Sequence, residues 1–507
     1  MQENNKRIAK NTLYLYFRML LTMGVSLYTS RVVLNTLGVE NFGIYNVVGG
    51  VIAMFGFLNS SMSGATSRFL TFELGRKDYE KLKKTFSAAL TVHIIIAVVI
   101  LILGETVGLW FLENKLVIAP ERMNAARWVY HLSILSSMIS ITQVPYNATI
   151  IAHERMGVFA IIEILNKLLQ LAIVFFVAAS GFDKLIFYAV LTLFVTIIIT
   201  TIYKIYCTKN FEESYYKFEW DKGLITPMLS YSGWNLFQSS SFTLKTQGVN
   251  MILNMFYGVT LNAAYGIAVQ VQGAANTFSE NFLTATRPQI IKYYATGSFS
   301  KMQSLLINSS KFSFLLLFLI SFPLIIENNF VLQLWLKNVP DYTVIFSQLF
   351  LIYIIITSSG NSITTSIQAT GRVKSFSIIV GTFNLLVIPI TYFLFKAGFS
   401  PIIPMIVNVI TMTIFAVIKI FILKRLIPLI SLRELFLKFI LIALIIAILS
   451  MAIPIWIHYS LDKGFLRFCL VSGSFVVILC IASYFIALNN DMKQKLRQLI
   501  YNKLKIS

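Results

Sequence analysis

Apolar residues fill this chain in long blocks, each closed by a few polar or charged positions. Most blocks match the about 20 residues needed to cross about 30 Å of hydrocarbon as a helix. The pattern predicts fourteen membrane spans, near 12–37, 42–66, 86–111, 124–150, 156–179, 182–206, 226–256, 261–286, 305–326, 342–368, 375–396, 399–423, 434–457 and 464–488. No hydrophilic stretch exceeds about 20 residues, one span length, which excludes an attached soluble nucleotide-binding or glycosyltransferase domain. The expected class is an all-α integral membrane protein. Four spans are weakly apolar: the first, the second with Asn59-Ser60-Ser61, the seventh and the eighth.

Composition agrees with this reading. Of 507 residues, 57% are hydrophobic and 12% charged, against roughly 25% charged in an average soluble domain. The net charge of +21 would suggest nucleic acid in a soluble protein, but its distribution assigns it to topology. With the N-terminus inside, about 30 Lys and Arg fall in inner segments and about eight in outer loops. Lys311 and Lys419 are counted with the inner set, and Lys337 and Arg467 with the outer. Such a bias predicts an even number of crossings, both termini cytoplasmic, and attraction to anionic lipid headgroups. The N-terminal block lacks a cleavage site and is expected to remain as the first helix. Cys207, Cys469 and Cys480 form no C-x-x-C, so neither a disulfide framework nor a metal site is expected.

Charge inside a span is costly, about 2.5–3.5 kcal/mol at the bilayer centre, so such residues face a bundle interior or a wet cavity. The candidates are Arg18, Arg31, Lys167, Lys245, Glu163 and Glu280. Glu163 and Lys167, four residues apart on one helix, could neutralise each other; Arg31 could snorkel to outer headgroups. Arg18 and Lys245 have no partner on their own helices. Span seven adds Asn235, Gln238, Gln247 and Asn250, and span eight adds Gln272 and Asn276, with Glu280 on the same helical face. Amides suit sugar hydroxyls, which both donate and accept; they also serve as glue between membrane helices. His93, His131, His153 and His458 lie near span ends, where solvated histidines are expected.

A loose internal repeat relates spans 1–2 to spans 7–8. Val33-Leu34-Asn35, Gly38-Val39, Tyr45 and Arg68 recur as Ile252-Leu253-Asn254, Gly258-Val259, Tyr265 and Arg287. Two pseudo-symmetric six-helix lobes, 1–215 and 220–425, are expected, followed by two extra helices over 430–490 and a basic cytoplasmic tail over 491–507. Repeats related in this way place a binding site between halves. No G-x-x-x-x-G-K-[ST] is present, so ATP hydrolysis by this chain is not expected; Glu280 and Glu163, with Lys167, are candidates for proton or sodium coupling.

The run Ser232-Gly233-Trp234-Asn235-Leu236-Phe237, then Gln247-Gly248-Val249-Asn250, Asn262-Ala263-Ala264-Tyr265-Gly266-Ile267-Ala268 and Pro288-Gln289-Ile290-Ile291-Lys292, resembles the Wzx-type polysaccharide flippases of the multidrug/oligosaccharidyl-lipid/polysaccharide (MOP) superfamily. Val339-Pro340-Asp341-Tyr342-Thr343 and Gln368-Ala369-Thr370-Gly371-Arg372-Val373-Lys374 extend the resemblance over essentially the whole chain. It implies a V-shaped bundle, like the MATE transporters and lipid II flippases, in the bacterial inner membrane. There it would carry an undecaprenyl-pyrophosphate-linked oligosaccharide outward by alternating access for O-antigen or capsule synthesis. A polysaccharide polymerase and chain-length proteins would be partners, and no cofactor or enzymatic role is implied. Arg18 and Lys245 then become the phosphate candidates. A cation-coupled drug exporter of the same superfamily is the runner-up, which acids and aromatics in the cavity would favour. A membrane-embedded polymerase is third and would show a large outer loop or a D-x-D motif; neither is found.

Overall fold

The computed structural model describes residues 2–488 and 493–494, apart from 54–55, 116–117, 219, 258 and 337–338. Lys337, Gly258 and nearly all of the expected tail thus lie outside the described residues, as do the side chains of Arg31 and Asn59-Ser60-Ser61. Among the described residues the regular structure is helical.

Helix α1 (Gln2–Ala53) carries spans one and two's beginning. It is broken at Gly38, whose φ of 78° is open to glycine, and the break falls where the apolar pattern lapses between those spans. Helix α2 (Gly56–Arg76) completes the second span. Asp78 then caps α3 (Tyr79–Leu103) by accepting from the Lys81 amide at 3.0 Å. A π-helical turn at Gly104–Gly108 leads into α4 (Leu109–Lys115). Its cause is Tyr130 of α5 (Pro120–Ala152), whose hydroxyl donates to the Gly104 carbonyl and fills the space a side chain at Gly108 would need. Helices α6 (Met156–Ala179) and α7 (Lys184–Asn210) follow, α7 capped by Asp183. Next come α8 (Lys222–Tyr257), α9 (Val259–Ala295), α10 (Phe299–Ile326) and the short α11 (Asn328–Leu336). The tenth span is a broken pair, α12 (Thr343–Ser359) and α13 (Asn361–Ala369), interrupted at Gly360. Helices α14 (Lys374–Lys396), α15 (Ile403–Leu426), α16 (Leu432–Leu435), α17 (Leu441–Ser460) and α18 (Phe465–Ala482) complete the chain.

All fourteen expected spans find helices. Nine helical segments among the described residues are long and apolar enough to cross a membrane. Those that fall short, α1, α2, α5, α8 and α9, include every span that reads as weak, together with the fourth.

The chain packs as two compact units. The first is Met1–Ser240, Thr284–Gly297 and Gly371–Ile378; the second is Ser241–Leu283, Ser298–Thr370 and Ile379–Ser507. In the first, Leu15, Tyr146, Phe159, Val174, Tyr188 and Tyr203 from α1, α5, α6 and α7 build the core. In the second, α17 and α18 pack on α10 through Phe318, Phe322, Ile446 and Phe475. The opposite faces of α17 and α18 expose Ile448, Trp456, Leu466 and Ile481, an apolar surface that only lipid would solvate well. Polar pins reinforce this docking. The Glu327 carboxylate, with no exposed side-chain surface, accepts from Arg467 Nη2 at 2.8 Å and bonds His458 Nδ1 at 2.7 Å. Near the middle of α10, Lys311 Nζ donates to the Ala487 carbonyl at 3.0 Å.

Candidate functional site

In the first unit, α1 and α6 pack side by side and set Arg18 over the Phe159 ring, guanidinium carbon 4.7 Å from the centroid. Glu163, one turn further along α6, accepts from the buried Tyr203 hydroxyl of α7 at 3.1 Å and lies within electrostatic reach of Arg18. Lys167 donates instead to Gln170 at 3.0 Å, and Gln170 donates to Asn166 at 3.2 Å. Glu163 is thus bonded across helices to Tyr203, while Lys167 is bonded along its own helix. Asn235 hydrogen-bonds Tyr231 one turn before it and faces Gly64 of α2. Gln238 is half-buried on the same helix.

In the second unit, Lys245 is 3% exposed. Its ammonium donates to Tyr353 Oη of α12 at 3.3 Å and Asn408 Oδ1 of α15 at 3.1 Å, and lies 4.8 Å from the Phe242 ring centroid. A cavity of about 60 Å³ adjoins it, lined also by Thr246, Tyr265, Gln272 and Asn408. That is room for a few waters, and it brings Lys245 and Gln272 together. Asn250 accepts from Asn262 Nδ2 at its side-chain oxygen (2.6 Å) and at its carbonyl (2.7 Å); Gln247 is exposed.

Two further α9 residues meet the α12–α13 break. Asn276 accepts from Ser358 Oγ at 3.0 Å, and Glu280 accepts from Asn361 Nδ2 at 3.4 Å. Lys419 of α15 reaches the same break, its ammonium occupying the space a side chain at Gly360 would take. A lysine beside the C-terminal end of α12 is favourably placed against the helix dipole, and interrupted membrane helices commonly line polar sites.

Several sequence expectations are corrected here. Lys311 and Lys419, counted with the inner set, are both 4% exposed and lie within helices α10 and α15, because a charge tally by side of the membrane does not tell a lysine inside a span from one beyond it. Arg467, counted with the outer loops, is buried against Glu327. Two histidines expected to be solvated are instead half-buried against carboxylates, His153 on Glu213 and His458 on Glu327, whereas His131 is exposed as expected and also meets Glu105. His93 is fully buried and bonds the Ala89 carbonyl. Sequence reasoning had one usable signal, since Lys419 sits in an unbroken apolar run, Val417-Ile418-Lys419-Ile420-Phe421. Among the described residues no cluster of three His, Cys, Asp or Glu could hold a metal.

The family model for "Polysaccharide biosynthesis protein" matches residues 8–294, more than half of the chain. Among curated proteins none matches by sequence. Similar solved structures include a MATE in complex with MaD3S, at TM-score 0.73 and 13% identity, covering 83% of this chain and 97% of that one. An outward-facing multidrug resistance MATE family transporter of the MOP superfamily matches at TM-score 0.71 and 14% identity over 84% and 97%. A MOP superfamily transporter from Pyrococcus furiosus, described as having a binding pocket of reverse polarity, matches at TM-score 0.69 and 14% identity over 84% and 96%. At such identities the likeness establishes the fold. A multi-pass helical bundle with the fold of the MATE transporters carries a polysaccharide-biosynthesis sequence across its first nine helices, and the chain therefore belongs to the polysaccharide biosynthesis protein family.

Proposed function

We propose that the protein is a flippase that carries an undecaprenyl-pyrophosphate-linked oligosaccharide from the inner to the outer leaflet of the bacterial cytoplasmic membrane by alternating access, supplying O-antigen or capsule synthesis. The coincidence of a polysaccharide-biosynthesis sequence with a transporter fold carries this reading. A charged pyrophosphate-sugar headgroup cannot cross hydrocarbon unaided, because burying its polar groups without partners costs several kcal/mol each. A protein that moves it must offer cations for the phosphates and amides or hydroxyls for the sugar, while the polyprenyl tail stays in lipid. Arg18 and Lys245 on repeat-related helices are the cations assigned to the phosphates. Asn235, Gln238, Gln247, Asn250, Gln272 and Asn276 are the amides assigned to the sugars. Glu280 at the α12–α13 break and Glu163 beside Arg18, with Lys167, are assigned to coupling by a proton or sodium. Membrane lipids, a polymerase and chain-length proteins complete the partners in this reading, and both termini face the cytoplasm.

The test is complementation of a flippase-deficient bacterium. Arg18→Ala should lose most surface polysaccharide at normal protein level, and Arg18→Lys should recover part of it, keeping charge without the guanidinium fork. Full complementation by Arg18→Ala would remove Arg18 from phosphate binding; failure of the unaltered protein to complement any such strain would remove the flippase reading.

A further inference from the structure

The turn between α5 and α6 holds a buried carboxylate that none of the transport assignments uses. Glu154 adopts φ 60°, a left-handed conformation that L side chains avoid, and its side chain has no exposed surface. Three groups hold it there. Lys292 Nζ lies 2.8 Å from Oε1, Gln289 Nε2 donates to the same oxygen at 2.5 Å, and Arg7 Nε lies 2.8 Å from Oε2. Asn11 donates to the Glu154 carbonyl at 3.1 Å. The preceding residue, His153, contacts Glu213 and stacks on Phe211, 4.1 Å between ring centroids, in the segment that joins the two sequence repeats.

The sequence repeat gives this turn a counterpart. Ala152-His153-Glu154-Arg155-Met156 and Ala369-Thr370-Gly371-Arg372-Val373 stand in the same register after α5 and α13, and Gly371 is also left-handed, at φ 75°. Glu154 of the first repeat is bonded by Gln289 and Lys292 of α9, from the second. Gly371 of the second repeat receives Arg68 of α2, from the first; a Cβ at Gly371 would stand 2.8 Å from Arg68 Nη2. The two contacts are thus exchanged between repeats, and all their residues belong to the first compact unit. Between them the ends of α2 and α9 touch: a Cβ at Gly75 would lie 3.1 Å from Ala295 Cβ, and Phe72 meets Tyr294 with ring centroids 6.4 Å apart.

We propose that the Glu154 and Gly371 turns are a reciprocal pair of clasps that hold the two repeats together at the end bearing the N-terminus, and that both must release before a headgroup can enter from the cytoplasm. This rests on the flippase reading for what enters, though the clasp itself can be measured with no substrate present. A charged carboxylate held by two hydrogen-bond donors and the Arg7 cation suits a contact that is strong when closed yet exchangeable for water when open, whereas an apolar seam of the same area would not re-solvate.

The experiment uses full-length protein with Cys207, Cys469 and Cys480 replaced, carrying Gly75→Cys and Ala295→Cys. Disulfides bridge Cβ atoms about 3.5–4.5 Å apart, a few tenths of an ångström beyond the 3.1 Å found here, so a small parting of the two helix ends lets mild oxidation in membranes cross-link α2 to α9. The cross-linked protein should flip at least tenfold more slowly and recover on reduction. Adding Glu154→Gln or Lys292→Met should slow cross-linking severalfold at unchanged protein level. Full flipping by the cross-linked protein overturns the proposal, as does a cross-linking rate that neither substitution alters. If cross-linking depends on Glu154 while the protein moves no lipid-linked oligosaccharide, the clasp stands and the flippase reading falls.

Discussion

Replacing Lys245 separates its two conceivable duties, holding the fold and binding an anion. Lys245→Met keeps an unbranched apolar stem in a site that is 3% exposed and removes the ammonium that donates to Tyr353 and Asn408. Loss of that donor leaves Asn408 Oδ1 short of a partner, at a cost of about 1–3 kcal/mol. Removing a desolvated ion returns a comparable several kcal/mol, so the methionine variant should be stable to within about 2 kcal/mol of the parent. Lys245→Ala adds a cavity and should lose about 2–5 kcal/mol. If the ammonium binds phosphate, however, a charge-assisted bond worth roughly 1.5–3 kcal/mol disappears in both variants, which is roughly 10- to 100-fold in affinity. Thermal unfolding in detergent, beside the concentration dependence of flipping in proteoliposomes, reads the two quantities independently. A methionine variant that unfolds many degrees lower yet flips with parental affinity would refute the phosphate assignment and leave Lys245 as a structural ion.

Three further outcomes follow from the same geometry. Glu280→Gln should abolish gradient-driven flipping while leaving insertion intact, because the amide still meets Asn361 but cannot carry a proton or hold a cation; normal gradient-driven flipping would remove Glu280 from coupling. Glu327→Gln should destabilise the protein by about 3–5 kcal/mol by leaving Arg467 buried without its counter-charge, and Glu327→Met with Arg467→Met should cost less than Glu327→Gln alone; denaturation of the purified variants checks this ordering. In protein lacking its native cysteines, cysteines at Gly181 and Asp462 should react with an impermeant thiol reagent outside intact cells and one at Tyr215 should not, all three positions being exposed. Labelling of Tyr215 from outside would overturn the assigned orientation.

The helices were legible in the sequence because each span must satisfy its backbone internally and present apolar side chains to lipid, a constraint written along the chain itself. The break at Gly38 and the low apolarity of α8 and α9 could be read for the same reason. Contacts across the fold were less accessible. Spacing suggests that Lys167 could answer Glu163, yet Tyr203, 40 residues away, takes that carboxylate because α7 packs on α6. Glu154 lies in a short loop with nothing local to mark it; its side-chain partners Gln289 and Lys292 are 135 and 138 residues distant. His458 and Arg467 read as outer-end residues until Glu327, the residue that closes α10, meets them from 131 and 140 residues away in sequence. Local pattern reports what a segment does with solvent, whereas pairing between buried charges is decided by which helices become neighbours.

The central claim is movement of a lipid-linked oligosaccharide across a bilayer, and its most direct test is reconstitution of the purified full-length protein into liposomes with undecaprenyl-pyrophosphate-linked oligosaccharide, with exposure of the sugar followed by a membrane-impermeant lectin or glycosidase. The account predicts that the protein accelerates transfer of the headgroup from the inaccessible to the accessible leaflet, and that Arg18→Ala and Lys245→Met slow it at least tenfold. Transfer no faster than in protein-free liposomes, under proton and sodium gradients of either polarity, would contradict it.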